Sequence, residues 1–357
     1  MATIKDVASI AGVSTATVSR VMNGQSVSSE TARRVRSVML ELGYTQNQAA
    51  RALKTKTTRS IGILVPELGT TFFLYIMEQI ETILSREGYS MILCSSNGSV
   101  EQEKEKLQLL LSRNIDALVA IPVSDIGEHF VLAKNTGIPI VVVDRVLPGC
   151  SIDSVHTDGI WGTKEVVKAL IEEGHTRIGF LGGSEHIPTA RERYQGYLEA
   201  FREMGVPVDQ SFVYFGEMTE RGGWNLMKDA LSHEDCPDAF FCVNDNTHLG
   251  ATAYLYEKVE EERYRKIVFG TFDFLHYYSL LKNCHYSASQ PLSQIGREAA
   301  ALLLKRLSGD YTDFPQTVVL KPEIMVFRRN GASVSEREGF KIVQDTAYPY
   351  FNDAVFS

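Results

Sequence analysis

Residues 13–24 read "VSTATVSRVMNG". Ser14 supplies a helix cap, small residues and hydroxyls fill the first turn, and Gly24 stops the helix near Met22. Such a helix has little bulk with which to pack; Val18 and Met22 are the residues expected to face inward. Its outer face carries Ser14, Thr15, Ala16, Thr17, Arg20 and Asn23. That composition suits close approach to nucleic acid. Hydroxyls and first-turn N–H groups suit phosphate, and Ala16 or a threonine methyl suits a thymine methyl. Arg20 is long enough to donate twice to guanine O6 and N7.

Two further helices are predicted around it. Thr3 and Asp6 have capping-box spacing, after which Ile4, Val7, Ala8 and Ala11 share one face up to Gly12. A third helix starts at Ser28 and turns Val35, Val38, Met39 and Leu42 inward. Small residues at Ala8 and Gly12 let the first two helices cross closely, which is the helix-turn-helix arrangement. Charge separates this head from the rest of the chain. Residues 1–59 hold nine basic and three acidic side chains, a net of +6, while the remaining 27 basic and 41 acidic ones leave −14. A basic head on an acidic body implies a polyanionic partner for the head alone.

"ATIKDVASIAGVSTATVSRVMNG" followed by "SSETARRVRSVMLELGY" resembles the N-terminus of the lactose/galactose-repressor (LacI–GalR) family of bacterial transcription regulators. The resemblance runs from residue 2 to about 329. It implies Thr3 among the DNA contacts. It also implies that "NQAARALK" is a hinge helix, with Asn47, Ala50, Arg51, Leu53 and Lys54 at family positions and Gln46 where the family has proline. In that family two hinges from a homodimer lie in the minor groove and the leucine wedges a base step, so the expected target is a near-palindromic operator. The domains implied are a head over 1–46, a hinge over 47–59 and a ligand-binding core over 60–330.

From Ser60 onward, apolar runs at 61–65, 90–95, 116–121, 138–143, 177–182, 212–216, 239–243 and 266–270 alternate with amphipathic segments. This predicts an α/β body of doubly wound parallel sheets covered on both faces, split into two lobes where the rhythm resets near "VHTDGIWGTKEVV". The resemblance implies a periplasmic-binding-protein-like core crossing between lobes three times. Lobe one would take 60–157 and 291–319, lobe two 158–290 and 320–330. A ligand is expected at the carboxyl ends of the strands, between the lobes. Strand ends and family positions together single out Phe72, Phe73, Asp144, Arg193, Asn244, Asp273 and Gln290, with Asp245 more suited to capping a helix. Thr271 stands where the family has glycine before Asp273. Phenyl rings suit the C–H face of a sugar, carboxylates accept from paired hydroxyls, and Arg193 donates. The effector expected is a small sugar or sugar phosphate.

Other classes fare worse. "GFLGGSEH" matches neither dinucleotide nor P-loop fingerprints, and no zinc-hydrolase or nucleophile-elbow motif occurs. No metal or cofactor is expected. Asp144 and Asp273 could in principle form the acid/base pair of a glycosidase, but the catalytic constellation of a sugar-processing enzyme is missing. A sugar-binding transport protein would share the two lobes, yet it predicts an export signal, and "MATIKDVASIAG" has no apolar core. Five scattered cysteines without CxxC read as reduced thiols of a cytoplasmic protein. The tail 331–357 has no leucine heptad, and either disorder or docking through Phe340, Ile342, Tyr348, Tyr350 and Phe351 fits it.

Overall fold

The computed structural model describes residues 2–22, 24–44, 57–233, 235–258, 264, 266–273, 283–327 and 340–343. It divides into two compact units, 1–59 and 60–357. Asn23 and the residues expected to form a hinge, Asn47, Ala50, Arg51, Leu53 and Lys54, lie outside the described residues.

The first unit is built on α1 (Ile4–Ile10), α2 (Thr15–Met22) and α3 (Ser29–Glu41). The capping box at α1 is complete: Asp6 N donates to Thr3 Oγ1 at 3.3 Å, and Thr3 N donates to Asp6 Oδ2 at 2.8 Å. Ser28 caps α3 through Thr31 N. Val7, Ala8, Ala11, Val18, Val21, Val35 and Val38 form the core. Val21 is buried where Met22 was expected; Met22 packs only at the margin. Val18 and Val21 are one turn apart, and the short valine fits where the three helices meet closely.

The second unit holds two sheets. Sheet one uses β1 (Ser60–Val65), β2 (Ser90–Ser95), β3 (Ala117–Ala120), β4 (Ile140–Val143), β5 (Asp153–Thr157) and β11 (Thr317–Leu320), in the order β11-β5-β4-β3-β1-β2. Helices α4 (Thr71–Arg86), α5 (Val100–Ser112), α6 (Glu128–Lys134) and α11 (Leu292–Leu307) accompany it. Sheet two uses β6 (Ile178–Gly183), β7 (Val213–Gly216), β8 (Ala239–Cys242), β9 (Val268–Phe272), β10 (Cys284–Ser289), β12 (Glu323–Phe327) and β13 (Phe340–Val343). Its order is β13-β12-β10-β9-β8-β6-β7, flanked by α7 (Gly159–Glu172), α8 (Pro188–Met204), α9 (Glu220–Ala230) and α10 (Asp245–Glu257). The chain therefore crosses between sheets three times: after β5, after β10 and after β11.

Sheet one is parallel throughout, and each sheet buries apolar clusters on two faces. Sheet two departs from the parallel expectation at its edge, where β12 runs antiparallel to β10. β13 then pairs in parallel with β12, so part of the tail docks on the body, with Phe340 against Tyr286. Tyr348, Tyr350 and Phe351 lie outside the described residues. All five cysteines are free thiols, Cys242 and Cys284 buried and the others half-buried. Among the described residues no helix is long and apolar enough to cross a membrane.

Candidate effector cleft and DNA-reading helix

In the head, Ser14 just before α2 and Thr15, Ala16 and Arg20 on it are exposed, and Thr17 is half-buried. Ser14 Oγ accepts from Thr17 N at 3.1 Å and lies 3.0 Å from Thr17 Oγ1, so these two hydroxyls fix the helix start. Thr15, Ala16 and Arg20 remain presented. The Thr3 hydroxyl is engaged with Asp6, on which it sits at 2.8 Å, so it contributes to the entry turn of α1.

In the body, a cavity of about 630 Å³ opens between the two lobes. Phe72, Phe73 and Asp144 line it from lobe one; Arg193, Asn244, Asp273 and Gln290 line it from lobe two. All seven residues singled out in the sequence are thus brought to one place. The parallel sheets explain this, since the carboxyl ends of both sets of strands face the same gap.

The two lobes present their aspartates alike. Asp144 follows β4 and Asp273 follows β9, with left-handed φ of 67° and 69°. Each amide donates at 2.9 Å to a carbonyl of the neighbouring strand, Val155 and Ala288 respectively. Such backbone is costly for non-glycine residues and clusters at functional sites. Each aspartate stands 3.7 Å from an arginine, Arg145 and Arg193. Thr271 in place of glycine does not turn Asp273 away: Gln290 Nε2 donates to Asp273 Oδ1 at 2.6 Å, and Ser287 Oγ to its carbonyl at 2.6 Å.

Arg193 is 4% exposed. Its Nη1 donates to the Val243 carbonyl at 2.7 Å, its guanidinium lies 3.9 Å from the Phe272 ring centroid, and its Nε has no partner. A buried guanidinium N–H without an acceptor is costly, and a ligand oxygen would relieve it. Asn244 has less to offer: Oδ1 caps α10 through Thr247 at 2.9 Å, and Nδ2 donates to Met218 O at 3.1 Å. Asn244 therefore takes the capping role expected of Asp245. Asp245 is instead the first residue of α10 and lines the cleft. Burial, then the neighbouring Asp273 charge, pushes the Asp245 carboxyl up to about 7. Burial likewise raises Asp273, opposed by Arg193 and Gln290.

The cavity also takes in Arg145, which follows Asp144 past its strand, and Glu67, Asn97 and Glu217, which were not singled out. Glu67 follows β1 and Glu217 follows β7, so the strand-end rule applied throughout would have found both. The wall therefore carries five carboxylates (Glu67, Asp144, Glu217, Asp245 and Asp273) against two guanidiniums.

Comparison with known proteins agrees with both halves of this arrangement. Residues 3–47 match the model for bacterial regulatory proteins of the lacI family, and 58–317 match that for periplasmic binding proteins and the sugar-binding domain of the LacI family. The HTH-type transcriptional repressor PurR of Actinobacillus pleuropneumoniae serotype 5b (strain L20) is 32% identical over 331 residues, covering 92% of this chain and 98% of the relative. A transcriptional regulator CelR–cellobiose complex superposes with a TM-score of 0.69 at 27% identity, covering 91% of this chain and 99% of that one. A lac repressor dimer bound to operator and the anti-inducer ONPF shares the fold, with a TM-score of 0.79 at 24% identity over 90% and 97% of the two chains. This chain belongs to the LacI family of bacterial regulatory proteins and is a DNA-binding transcriptional repressor with a ligand-binding body, not an enzyme.

Proposed function

We propose that the effector is a small neutral sugar held between the lobes, and that it controls binding of a two-fold dimer to a near-palindromic operator. The charge of the wall carries this reading. Five carboxylates facing two guanidiniums offer many acceptors to a ligand rich in O–H donors. With Asp245 and Asp273 raised by burial, Glu67, Asp144 and Glu217 still outnumber the two guanidiniums, which favours the sugar over the sugar phosphate. Phe72 and Phe73, with ring centroids 5.3 Å apart, supply an apolar wall for a C–H face. The cellobiose held by the CelR relative is a ligand of the same chemistry.

Phe72, Phe73, Asp144, Arg193, Asp273 and Gln290 are the proposed contacts, with Asn244 shaping the floor. Dimerisation is supported by exposed leucines at Leu74, Leu93 and Leu109, on the three elements α4, β2 and α5 at the open edge of sheet one. Thr15, Ala16 and Arg20 are proposed to read the major groove. Asn47, Ala50, Arg51, Leu53 and Lys54 are proposed as hinge contacts in the minor groove. This function places the protein in the cytoplasm, at the nucleoid when bound to its operator.

The test has two arms. A thermal-shift panel of neutral mono- and disaccharides, sugar phosphates and nucleobases should show stabilisation by a neutral sugar. Stabilisation only by phosphates or nucleobases would refute the assignment. Binding-site selection from random DNA should return a near-palindrome. Arg20→Ala should then cost about 1–3 kcal/mol at one base position and relax preference there. Uniform weakening on every sequence would make Arg20 a phosphate contact instead.

A further inference from the structure

One loop ties the cleft to its outer rim. Residues 121–127 join β3 to α6 and carry Val123, which lines the cavity. Arg145 Nη1 donates to the carbonyls of Pro122 and Val123, both at 2.6 Å. Val123 N donates at 2.7 Å to Glu103 Oε2, and the other oxygen of that carboxylate meets His129 Nε2 at 2.7 Å. Glu103 is fully buried. The loop is therefore held by Arg145, just past β4, and by Glu103 of α5, whose carboxylate is in turn fixed by His129 of α6.

Beyond this anchored part, Asp125 leaves lobe one. Its Oδ2 lies 2.9 Å from Nη2 of Arg191, on α8 of lobe two. Arg191 is steadied by a second bond, Nη1 to the Glu185 carbonyl at 2.7 Å. We propose that Asp125 and Arg191 form a latch between the lobes, and that Arg145 and Glu103 hold the loop at the reach where the latch closes. Val123 and Arg145 both line the cleft, Val123 as part of the loop and Arg145 bonded to it, so a ligand that shifts them shifts Asp125.

A half-exposed ion pair is weak, but lobe angle is an equilibrium between states of similar energy. A pair of this kind shifts such an equilibrium by roughly two- to fivefold. Arg191 is held by a second bond and the loop carrying Asp125 is anchored at Pro122 and Val123, which reduces the entropy lost on closing. The inference rests on the reading that lobe angle carries the effector signal. Its test needs neither ligand nor operator, so the two fail separately.

The experiment measures lobe-to-lobe distance in the full chain by double electron–electron resonance. Spin labels go on S112C in lobe one and N225C in lobe two, both exposed. The half-buried thiols Cys94, Cys150 and Cys236 are replaced, and labelled protein is diluted with excess unlabelled protein. D125A and R191A should each add or enlarge a second distance population by roughly two- to fivefold. The charge-exchanged D125R/R191D should return the distribution toward that of the parent. Unchanged distributions in both single variants, or a double variant no closer to the parent than either single, would overturn the latch. Thermal melts matching the parent confirm that each variant is folded.

Discussion

The two walls of the cleft start from the same plan and diverge. In each, an aspartate with left-handed backbone follows a strand and stands 3.7 Å from an arginine. In lobe one the arginine, Arg145, is turned to its own loop, where it holds two carbonyls. Beside Asp144 stand two phenyl rings. In lobe two, Arg193 holds one carbonyl and faces a second carboxylate, Asp245, beside Asp273. Burial raises both of those carboxyls. Both walls hold a guanidinium Nε without a hydrogen-bond partner, but lobe one adds two phenyl rings, whereas lobe two sets two buried carboxyls and Gln290 around its arginine. The division implies that lobe two supplies most of the affinity for a sugar, and that lobe one closes over it.

Three changes sharpen or break this division. Arg193→Ala should have the largest effect. Loss of a buried, charge-assisted donor costs about 2–5 kcal/mol, so sugar affinity should fall on the order of 100-fold and the ligand response of operator binding should vanish. Ligand-free operator binding should stay near that of the parent. Calorimetry with the sugar found by the panel reads the first effect, and gel shift the second. A full response in Arg193→Ala would show that the assigned cleft is wrong.

Phe73→Ala, on the other wall, should cost about 1–2 kcal/mol, or roughly tenfold. If calorimetry gives a larger loss for Phe73→Ala than for Arg193→Ala, the division of labour is reversed.

The smallest effect concerns Asp245 and pH. Its carboxyl titrates at about 7 in the folded protein, above the usual carboxylate range, because it is buried. The folded state then binds the proton more tightly than the unfolded state. Stability should fall as pH rises from the unfolded value, about 4, toward 7, and level off above it. Asp245→Asn removes this penalty. It should raise the melting temperature of the ligand-free protein by a few degrees at pH 8 and change it little at pH 5. A gain of the same size at both pH values would mean that ionisation is not its cause.

The head was more legible in the sequence than the body because its signals are local. Thr3 with Asp6, Ser14 and Ser28 mark helix starts within three residues of the groups they cap. The interior strands were legible because burial on both faces makes them uniformly apolar, as in "IGILV". β5, "DSVHT", was missed, because its polarity is compensated from far along the chain. Arg306 Nε donates to Asp153 Oδ2 at 2.7 Å, and Gln316 N to Asp153 Oδ1 at 2.7 Å. No period in a short window records such a partner. β11 also escaped, since a strand at a sheet edge carries mixed, exposed residues. β12 escaped as well, although Ile324, Met325 and Val326 are a buried apolar run, because it is only five residues long.

The cleft divides in the same way. Asp144, Asp273 and Gln290 could be found because they directly follow strands. Asn97 stands two residues past β2, as Glu67 does past β1, so the same rule reaches it; its φ of 48° sets how it enters the cavity. The latch between Asp125 and Arg191 joins residues 66 positions apart, and nothing in either local sequence announces it.

The most direct measurement is the sugar affinity of the full protein, determined twice, free and saturated with the selected operator. If the cleft and the head are linked through lobe angle, the two affinities differ. By linkage they differ by the same factor by which the sugar changes operator affinity, typically about 5–150-fold. Equal sugar affinity in the presence and absence of operator would contradict the account.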